Sequence, residues 1–392
     1  MAATAIIGIG AISSAGCGAS AGFEAIIAGR DGLSPLSLFD SGLKNAPLCA
    51  EIKNVPGLTT APNRTTALAL SAAQEALSSF TDLKGLSLGL VIATSVAGMT
   101  RSERFYERLQ KDASAISDAA MELAYHEPSA LSGFICKAVG ARFFHTLSTA
   151  CSTGLHAAGI ARRLVESGAC DLCLALGADA LSLLTIRGFA ALLLIDPTGC
   201  KPFDKRRAGI SLGEGAGAIC LASGKAVKAL KAVPLAYMTG WGASADCHHM
   251  TAPHPAGVGA KRAMLAALVE ASLAPSHIGM VTTHGTGTPD NDIAEIIAMR
   301  STFDILPPFC SMKRTLGHTL AASGIIEAVY SLDALQKGLV PPTAGFVQPD
   351  EAIGAVPSIY RELRFRHVLK NSFGFGGNNA AAVFSLEPEK RA

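Results

Sequence analysis

The sequence predicts an α/β protein of two similar halves, with mostly parallel sheets stacked between helices as α/β/α/β/α layers. Three observations carry that expectation. Strand-like and helix-like stretches alternate through both halves of the 392 residues. Several strands, such as residues 86–94 and 171–179, are apolar on both faces, as strands covered on both sides must be. Hydrophobic residues make up 49% of the chain and charged ones only 16%, which requires extensive burial.

Residues 4–9 read as a buried strand running into Gly8-Ile9-Gly10. A dinucleotide fingerprint would need a third glycine and an acidic residue after a second strand, whereas Glu24 falls inside a predicted helix, which argues against a nucleotide site. Residues 34–62, polar and proline-bearing, read as a surface excursion. A helix over 65–80, a buried strand over 86–94, an exposed charged helix over 102–111 and a helix opened by Pro128 follow. Residues 143–148 read as a short buried strand. It leads through Thr149-Ala150-Cys151-Ser152-Thr153-Gly154 into a helix that Gly168 terminates.

Beyond the strand at 171–179, the Cys170/Cys173 pair has no second pair at metal spacing and reads as structural. Leu192-Leu193-Leu194-Ile195 is short and ends in Asp196-Pro197, so it reads as core and not as membrane. The charged loop from Pro202 enters a glycine-rich turn that lacks the Gly-Lys-Ser/Thr of a phosphate-binding loop, and a strand follows at 218–222. The second half repeats the rhythm: strand 235–242, helix 259–271, strand 278–283, helix 292–303, a short strand at 309–311, helix 320–337, and strands at 368–372 and 380–386. The halves divide as 1–233 and 234–392, although residue identity does not display the duplication.

A formal charge of +2 offers no global basic surface for nucleic acid or an anionic membrane. Ten cysteines without regular spacing read as reduced thiols rather than a disulfide framework. The start of the chain has no basic n-region, and no apolar run reaches the roughly 18 residues of a membrane span. The expectation is a soluble cytoplasmic protein.

Four stretches carry possible chemistry. Cys151, at a helix N-terminus with small neighbours, sits where unpaired N–H groups and the helix dipole would lower a thiol pKa and favour a nucleophilic thiolate. Thr283-His284-Gly285-Thr286-Gly287-Thr288 follows a strand, with threonines able to bond an extended ligand at the edge where α/β sheets collect ligands. Lys313-Arg314-Thr315-Leu316-Gly317-His318 sets a lysine and a histidine five apart. Asn371-Ser372-Phe373-Gly374-Phe375-Gly376-Gly377-Asn378-Asn379 puts two aromatics on a glycine hinge whose N–H groups can meet an oxyanion.

In this order, these motifs resemble the elongating β-ketoacyl-acyl-carrier-protein synthases of the thiolase fold, the type II condensing enzymes of fatty acid and polyketide synthesis. The resemblance implies a five-layered α/β/α/β/α thiolase-like fold. It implies Cys151 as nucleophile, His284 and His318 as the catalytic histidines, Lys313 as the lysine of Lys-x-x-x-Gly-His, and Phe375 as the gating phenylalanine. Thr286, Thr288, Phe373 and Glu295 would form the substrate site, with Glu295 on the following helix also the partner of Lys313. The implied reaction is a decarboxylative condensation: Cys151 accepts an acyl chain, and malonyl-acyl-carrier protein loses CO2 to give the attacking carbanion. No cofactor or metal is implied, because phosphopantetheine arrives on the carrier protein. Leu316, Ser323 and Asn378 depart from the family's usual threonine, alanine and threonine. The segments around Gly209, His248 and His284 are closer to synthases of aryl-polyene and other secondary pathways.

Other readings use the same residues less completely. Zinc on Cys151, His284 and His318 would lack a further ligand and a supporting shell. A cysteine hydrolase could recruit Asn371 or Asn379 but leaves the second histidine and the lysine unexplained. A non-catalytic chain-length partner in a heterodimer would have its nucleophile replaced, whereas Cys151 is present. The implied partners are an acidic acyl-carrier protein, for which Arg64, Lys205 and Arg206 are candidate docking residues, and a second subunit in a homodimer or in a heterodimer with a relative.

Overall fold

The computed structural model describes residues 4–80, 82–83 and 85–387; Met1–Ala3, on which the reading of the N-terminal segment partly rests, lie outside them. Ten strands form one continuous path. In the first half they are β1 (Thr4–Ser13), β2 (Leu88–Ala93), β3 (Phe143–Leu147), β4 (Leu172–Asp179) and β5 (Gly215–Ala222). In the second they are β6 (Ala236–Ala245), β7 (Met280–Thr282), β8 (Phe309–Cys310), β9 (His367–Gly374) and β10 (Asn378–Ser385).

Their order exposes the duplication that residue identity hides. The path runs β8-β7-β9-β10-β6-β1-β5-β4-β2-β3, so each half has its strands in the order third, second, fourth, fifth, first. The senses also match. In each half the second strand is parallel to the third and fourth, while the fifth is antiparallel to the fourth and the first. Parallel pairing is thus confined to the outer three strands of each half, which are the strands joined by helical crossovers. The halves meet where Thr4–Ile6 pairs with Ala236–Met238.

The layers follow from which faces are apolar. Helix Ser323–Lys337 is buried continuously from Ser323 to Leu335 and packs on strands of both halves beside helix Thr153–Glu166. These two form the middle layer, with one apolar cluster around them and two outer clusters beneath the helices that cover each half.

The Gly8-Ile9-Gly10 stretch has a packing explanation. A Cβ at Gly8 would stand 2.0 Å from the Ala76 carbonyl oxygen and one at Gly10 2.2 Å from that of Ala72, both on helix Arg64–Leu77. In the second half, Gly240 and Gly242 stand in the same relation to Ala267 and Ala263 on helix Val258–Ala271, at 2.0 and 2.1 Å. The glycines let a helix backbone lie directly on the first strand of each half.

Two expectations are overturned. β3 is not buried: it ends the sheet, with Phe144 38% exposed and His145 exposed, because among the described residues no strand pairs with its outer edge. Nor is the 192–195 run core, since Leu192 and Leu193 are 51% and 87% exposed and only Leu194 turns toward a cleft. Among the described residues no helix is long and apolar enough to cross a membrane.

Candidate active site

The site gathers at the carboxyl ends of β3, β7, β8 and β9. Cys151 follows β3 and directly precedes helix Thr153–Glu166, whose N-cap is Ser152. Ala150 is held at φ +51°, an uncommon conformation for a residue with a side chain, which turns Cys151 sharply out of the strand. Short-range bonds lock that turn: Thr153 Oγ1 donates to the Ala150 carbonyl at 2.5 Å and accepts from the Thr149 N–H at 2.8 Å, and Ser152 Oγ donates to the Thr149 carbonyl at 2.9 Å. From β9, Ser372 Oγ donates to the Cys151 carbonyl at 2.9 Å. The polar residues flanking the cysteine in sequence therefore build its backbone rather than face a ligand.

His318 Nε2 lies 3.0 Å from Cys151 Sγ. The His284 ring stands edge-on to that of His318, with centroids 5.4 Å apart, and Phe373 packs against His284 from the other side. The backbone N–H groups of Phe375 and of Cys151 itself point at the sulfur. Gly374 makes that approach possible, since a Cβ there would press on the Thr149 oxygen at 2.9 Å and the Cys151 nitrogen at 3.2 Å.

Burial sets the protonation states. It pushes the Cys151 thiol up to about 11, against the opposing pull of Lys313 and the Phe375 N–H. The expectation of a lowered pKa at the helix N-terminus is thereby corrected, because desolvation of the thiolate outweighs the dipole. Burial, with Lys313 and Lys370 adding to it, holds both His284 and His318 well below the ordinary histidine range. The resting site is a neutral thiol beside two neutral imidazoles.

Behind the histidines lies a buried charged network. Lys313 Nζ donates to the His284 carbonyl at 2.9 Å and pairs with Glu327 at 2.5 Å. Glu295 is not its partner. It instead accepts from the His284 and Gly285 N–H groups, both at 2.8 Å, and from Asn371 Nδ2 at 3.1 Å. It is 1% exposed and does not line the cleft, so it sits behind the substrate space and not in it. Ser323, one of the departures from the family pattern, donates to Glu327 at 3.3 Å, and Asn378, another, donates weakly to the Phe375 carbonyl at 3.4 Å.

Glu327, Lys370 and Asp179 escaped the sequence reading. Asp179 accepts from Thr94, Ser95 and Val96 on one side and from the Ala321 N–H, near His318, on the other. Asp179 and Glu327 are each a lone charge in an otherwise apolar run, a pattern that signals a buried, partnered group; Lys370, followed by Asn371 and Ser372, carries no such mark.

A partly open cleft is lined by Cys151, His284 and His318. Thr286, Thr288 and Phe373 line it together with Phe189, Leu194 and Phe375, whose ring rests on Phe189 at 5.6 Å. The docking candidates separate. Lys205 and Arg206 are exposed on a loop bonded to the cleft wall through Gly209 and Gly287. Arg64 is only 6% exposed; its guanidinium forks onto Glu214 at 2.6 and 2.8 Å and also donates to the Ile52 carbonyl, so it cannot meet a partner. Among the described residues no group of three or more His, Cys, Asp or Glu side chains is placed to hold a metal ion.

A thiol with an imidazole in reach, N–H donors around the sulfur and a second imidazole across a half-open cleft define an acyl-transferring condensing enzyme. Comparison with known proteins makes the assignment particular. Residues 1–226 match the β-ketoacyl synthase N-terminal domain and residues 235–347 its C-terminal domain. The chain is 30% identical, over 97% of both chains, to 3-oxoacyl-[acyl-carrier-protein] synthase 2 of Staphylococcus aureus strain N315. The ishigamide ketosynthase/chain length factor superposes with a TM-score of 0.91 at 28% identity, covering 98% of this chain and 99% of that one. The ketosynthase ApeO in complex with its chain length factor ApeC, from Xenorhabdus doucetiae, gives 0.86 at 28% identity, covering 98% of each. The chain belongs to the β-ketoacyl synthase family and is a condensing acyltransferase of the thiolase-like fold.

Proposed function

We propose that Cys151 carries the acyl chain and that His284 and His318 together generate the carbanion that extends it. The observation that carries this reading is the 3.0 Å contact between His318 Nε2 and Cys151 Sγ, with the His284 ring edge-on to that of His318 at 5.4 Å. In the first half-reaction His318 Nε2 takes the thiol proton as sulfur attacks the thioester carbon of an acyl-carrier protein. The carbon–sulfur bond to pantetheine breaks, and the departing thiolate recovers that proton. The N–H groups of Cys151 and Phe375 hold the tetrahedral oxyanion, a contribution of about 2.7–4 kcal/mol per donor in acyl-transfer enzymes generally.

In the second half-reaction malonyl-carrier protein enters along Thr286 and Thr288. The bond to its carboxylate breaks, CO2 leaves, and the electron pair becomes an enolate whose oxygen His284 and His318 meet as charge develops. The enolate carbon attacks the acyl group, the bond to Cys151 breaks, its thiolate takes up one proton from solvent to restore the resting thiol, and the β-ketoacyl product leaves on the carrier protein. Lys313, bonded to the His284 carbonyl, fixes that histidine, while Phe375 against Phe189 closes the acyl side. No cofactor is required beyond the pantetheine arm.

Lys205 and Arg206 serve the acidic carrier protein at the cleft mouth. The open edge of β3, with Phe144 and His145 exposed, requires cover and fits a two-fold partner, taken here as a second copy. A related subunit is the alternative, since two of the similar structures are a ketosynthase/chain length factor and a ketosynthase in complex with its chain length factor. A type II PKS ketosynthase is also among the similar structures, at 25% identity and a TM-score of 0.88, which supports a polyketide pathway over housekeeping elongation. A role as the non-catalytic member of such a pair is opposed by the retained Cys151, His284 and His318. The assembly is assigned to the cytoplasm, where free thiols persist.

The test is incubation with acyl- and malonyl-carrier protein, with products followed by mass. Condensation by a Cys151→Ala variant would refute the nucleophile assignment. A panel of saturated, unsaturated and aryl-primed carriers identifies the pathway, and a preference for short saturated chains alone would defeat the polyene reading.

A further inference from the structure

Lys370 is a buried charge that the condensation as described leaves without a task. It lies on β9 immediately before Asn371 and is fully buried. Its Nζ donates to the Thr283 carbonyl at 3.0 Å and to the Asn371 carbonyl, and pairs with Glu327 Oε2 at 2.6 Å. Two carbonyls accept from this nitrogen and a carboxylate oxygen stands in ion-pair range; a neutral amine would turn a lone pair toward one of those oxygens. The nitrogen therefore carries its charge although burial alone opposes it.

The groups around it balance. Glu327, from helix Ser323–Lys337, is shared between Lys370 and Lys313, one ammonium on each oxygen. Glu295, from helix Pro289–Arg300, reaches the Asn371 side chain and the His284 and Gly285 N–H groups, and Lys370 acts on it through space. Cys310 on β8 is an uncharged thiol, pushed up to about 12 by burial. In front stand His284, His318 and Cys151. Asp179, bonded to Thr94, Ser95, Val96 and Ala321, is a further buried carboxylate near His318. Within the network of Lys313 and Lys370 two ammoniums face two carboxylates, Glu327 and Glu295; without Lys370 one would face two, and that network would turn net negative behind the imidazoles.

We propose that Lys370 is a positioning residue that neutralises the second carboxylate of that network behind the catalytic histidines, leaving His318 Nε2 free to accept the Cys151 proton. Through Thr283 and Asn371 the same ammonium ties the strand ending at His284 to the strand that carries the Phe373–Phe375 loop. The effect on protonation has a definite sign. A buried cation disfavours the imidazolium, so removing it lets His318 protonate at a higher pH, and a protonated His318 cannot take a proton from the thiol.

This inference rests on the acyl-enzyme reading, so the experiment first records acylation of the unaltered protein by acyl-carrier protein in single-turnover mass measurements across pH. Failure there would sink that reading and not this one. In Lys370→Met the acid limb of acylation moves to higher pH, and Lys370→Arg, which keeps the charge, returns it toward the original position. A limb that stays in place in Lys370→Met while the rate falls equally at every pH would reduce Lys370 to a packing role and overturn the proposal. If Lys370→Met does not fold, ring-carbon NMR of the unaltered protein decides. His284 and His318 must then remain uncharged as pH falls through the ordinary histidine midpoint of about 6.5, and titration of either there overturns the proposal.

Discussion

Cys151 Sγ and His318 Nε2 meet at 3.0 Å from corresponding places in the two halves. Cys151 follows β3 and His318 follows β8, the third strand of each half, and the helices that come next form the middle layer side by side. His284 follows a second strand and makes no hydrogen bond to the sulfur. The histidines should therefore separate kinetically. His318→Ala slows acylation of Cys151 by about 10²–10⁴-fold, the usual contribution of a positioned general base, and also loses malonyl decarboxylation. His284→Ala retains near-normal acylation and loses decarboxylation alone. Intact-mass acylation and CO2 release measure the two steps, and equal acylation in both variants would contradict the geometry.

The buried thiol makes a second prediction. With its pKa pushed up to about 11, Cys151 is almost wholly protonated at neutral pH. Alkylation of the free enzyme by iodoacetamide at Cys151, mapped by peptide mass, should lag behind that at the exposed Cys17 and Cys247. Its rate should keep climbing through pH 9 and 10, because each step toward the thiol pKa raises the thiolate fraction. A rate already level near pH 7 would mean that the helix dipole prevails over burial.

Arg64 and Glu214 form a buried pair, with side chains 6% and 0% exposed, that joins the helix over β1 to the start of β5 and to the Ile52 and Leu181 backbone. Removing one partner strands the other charge in a dry site, which costs about 3–5 kcal/mol. Arg64→Met should lower the unfolding free energy obtained from urea titration by that amount, with little change in the carrier-protein dissociation constant measured at a temperature where the variant is folded. A large loss of affinity without loss of stability would restore Arg64 as a docking residue.

The elements were largely legible because their apolar runs are long and their breaks are marked by glycine, proline and polar residues, as with Gly168 after the cysteine helix. The Cys151, His284 and His318 constellation was legible because each residue sits in a short motif at a strand end. What could not be read were relationships across the chain. The partner of Lys313 lies on the helix after His318 and not on the one after His284, and both carboxylates stand at plausible spacing. The exposure of β3 depends on which strands flank it, and strand order is invisible to local patterning. The rise in the Cys151 pKa depends on how deeply the turn is buried, which no spacing reports. The duplication left one trace, the paired Gly-x-Gly of β1 and β6, whose meaning emerges only when a helix is seen lying on each.

Lys205 and Arg206 share a loop but not a role. Lys205 has an exposed side chain, whereas Arg206 donates through Nε to Asp204 Oδ1 at 2.9 Å, and Asp204 in turn accepts from the Val347 and Gln348 N–H groups. Burial alone would raise the Asp204 carboxyl, yet the bonds from Arg206 and those two backbone groups hold it well below the usual carboxylate range. Lys205→Glu should then act on encounter only: carrier-protein affinity falls by about tenfold at low salt and the difference closes above roughly 0.5 M, where exposed charges are screened. Arg206→Glu weakens docking too, but it also sets two carboxylates together and lowers the melting temperature. Decarboxylation of malonyl-pantetheine, which needs no protein docking, should be unchanged in Lys205→Glu. Titration calorimetry at two salt concentrations, melting curves and that small-substrate assay together check the separation, and a salt-independent loss in Lys205→Glu would show that the loop shapes the cleft rather than steering a partner to it.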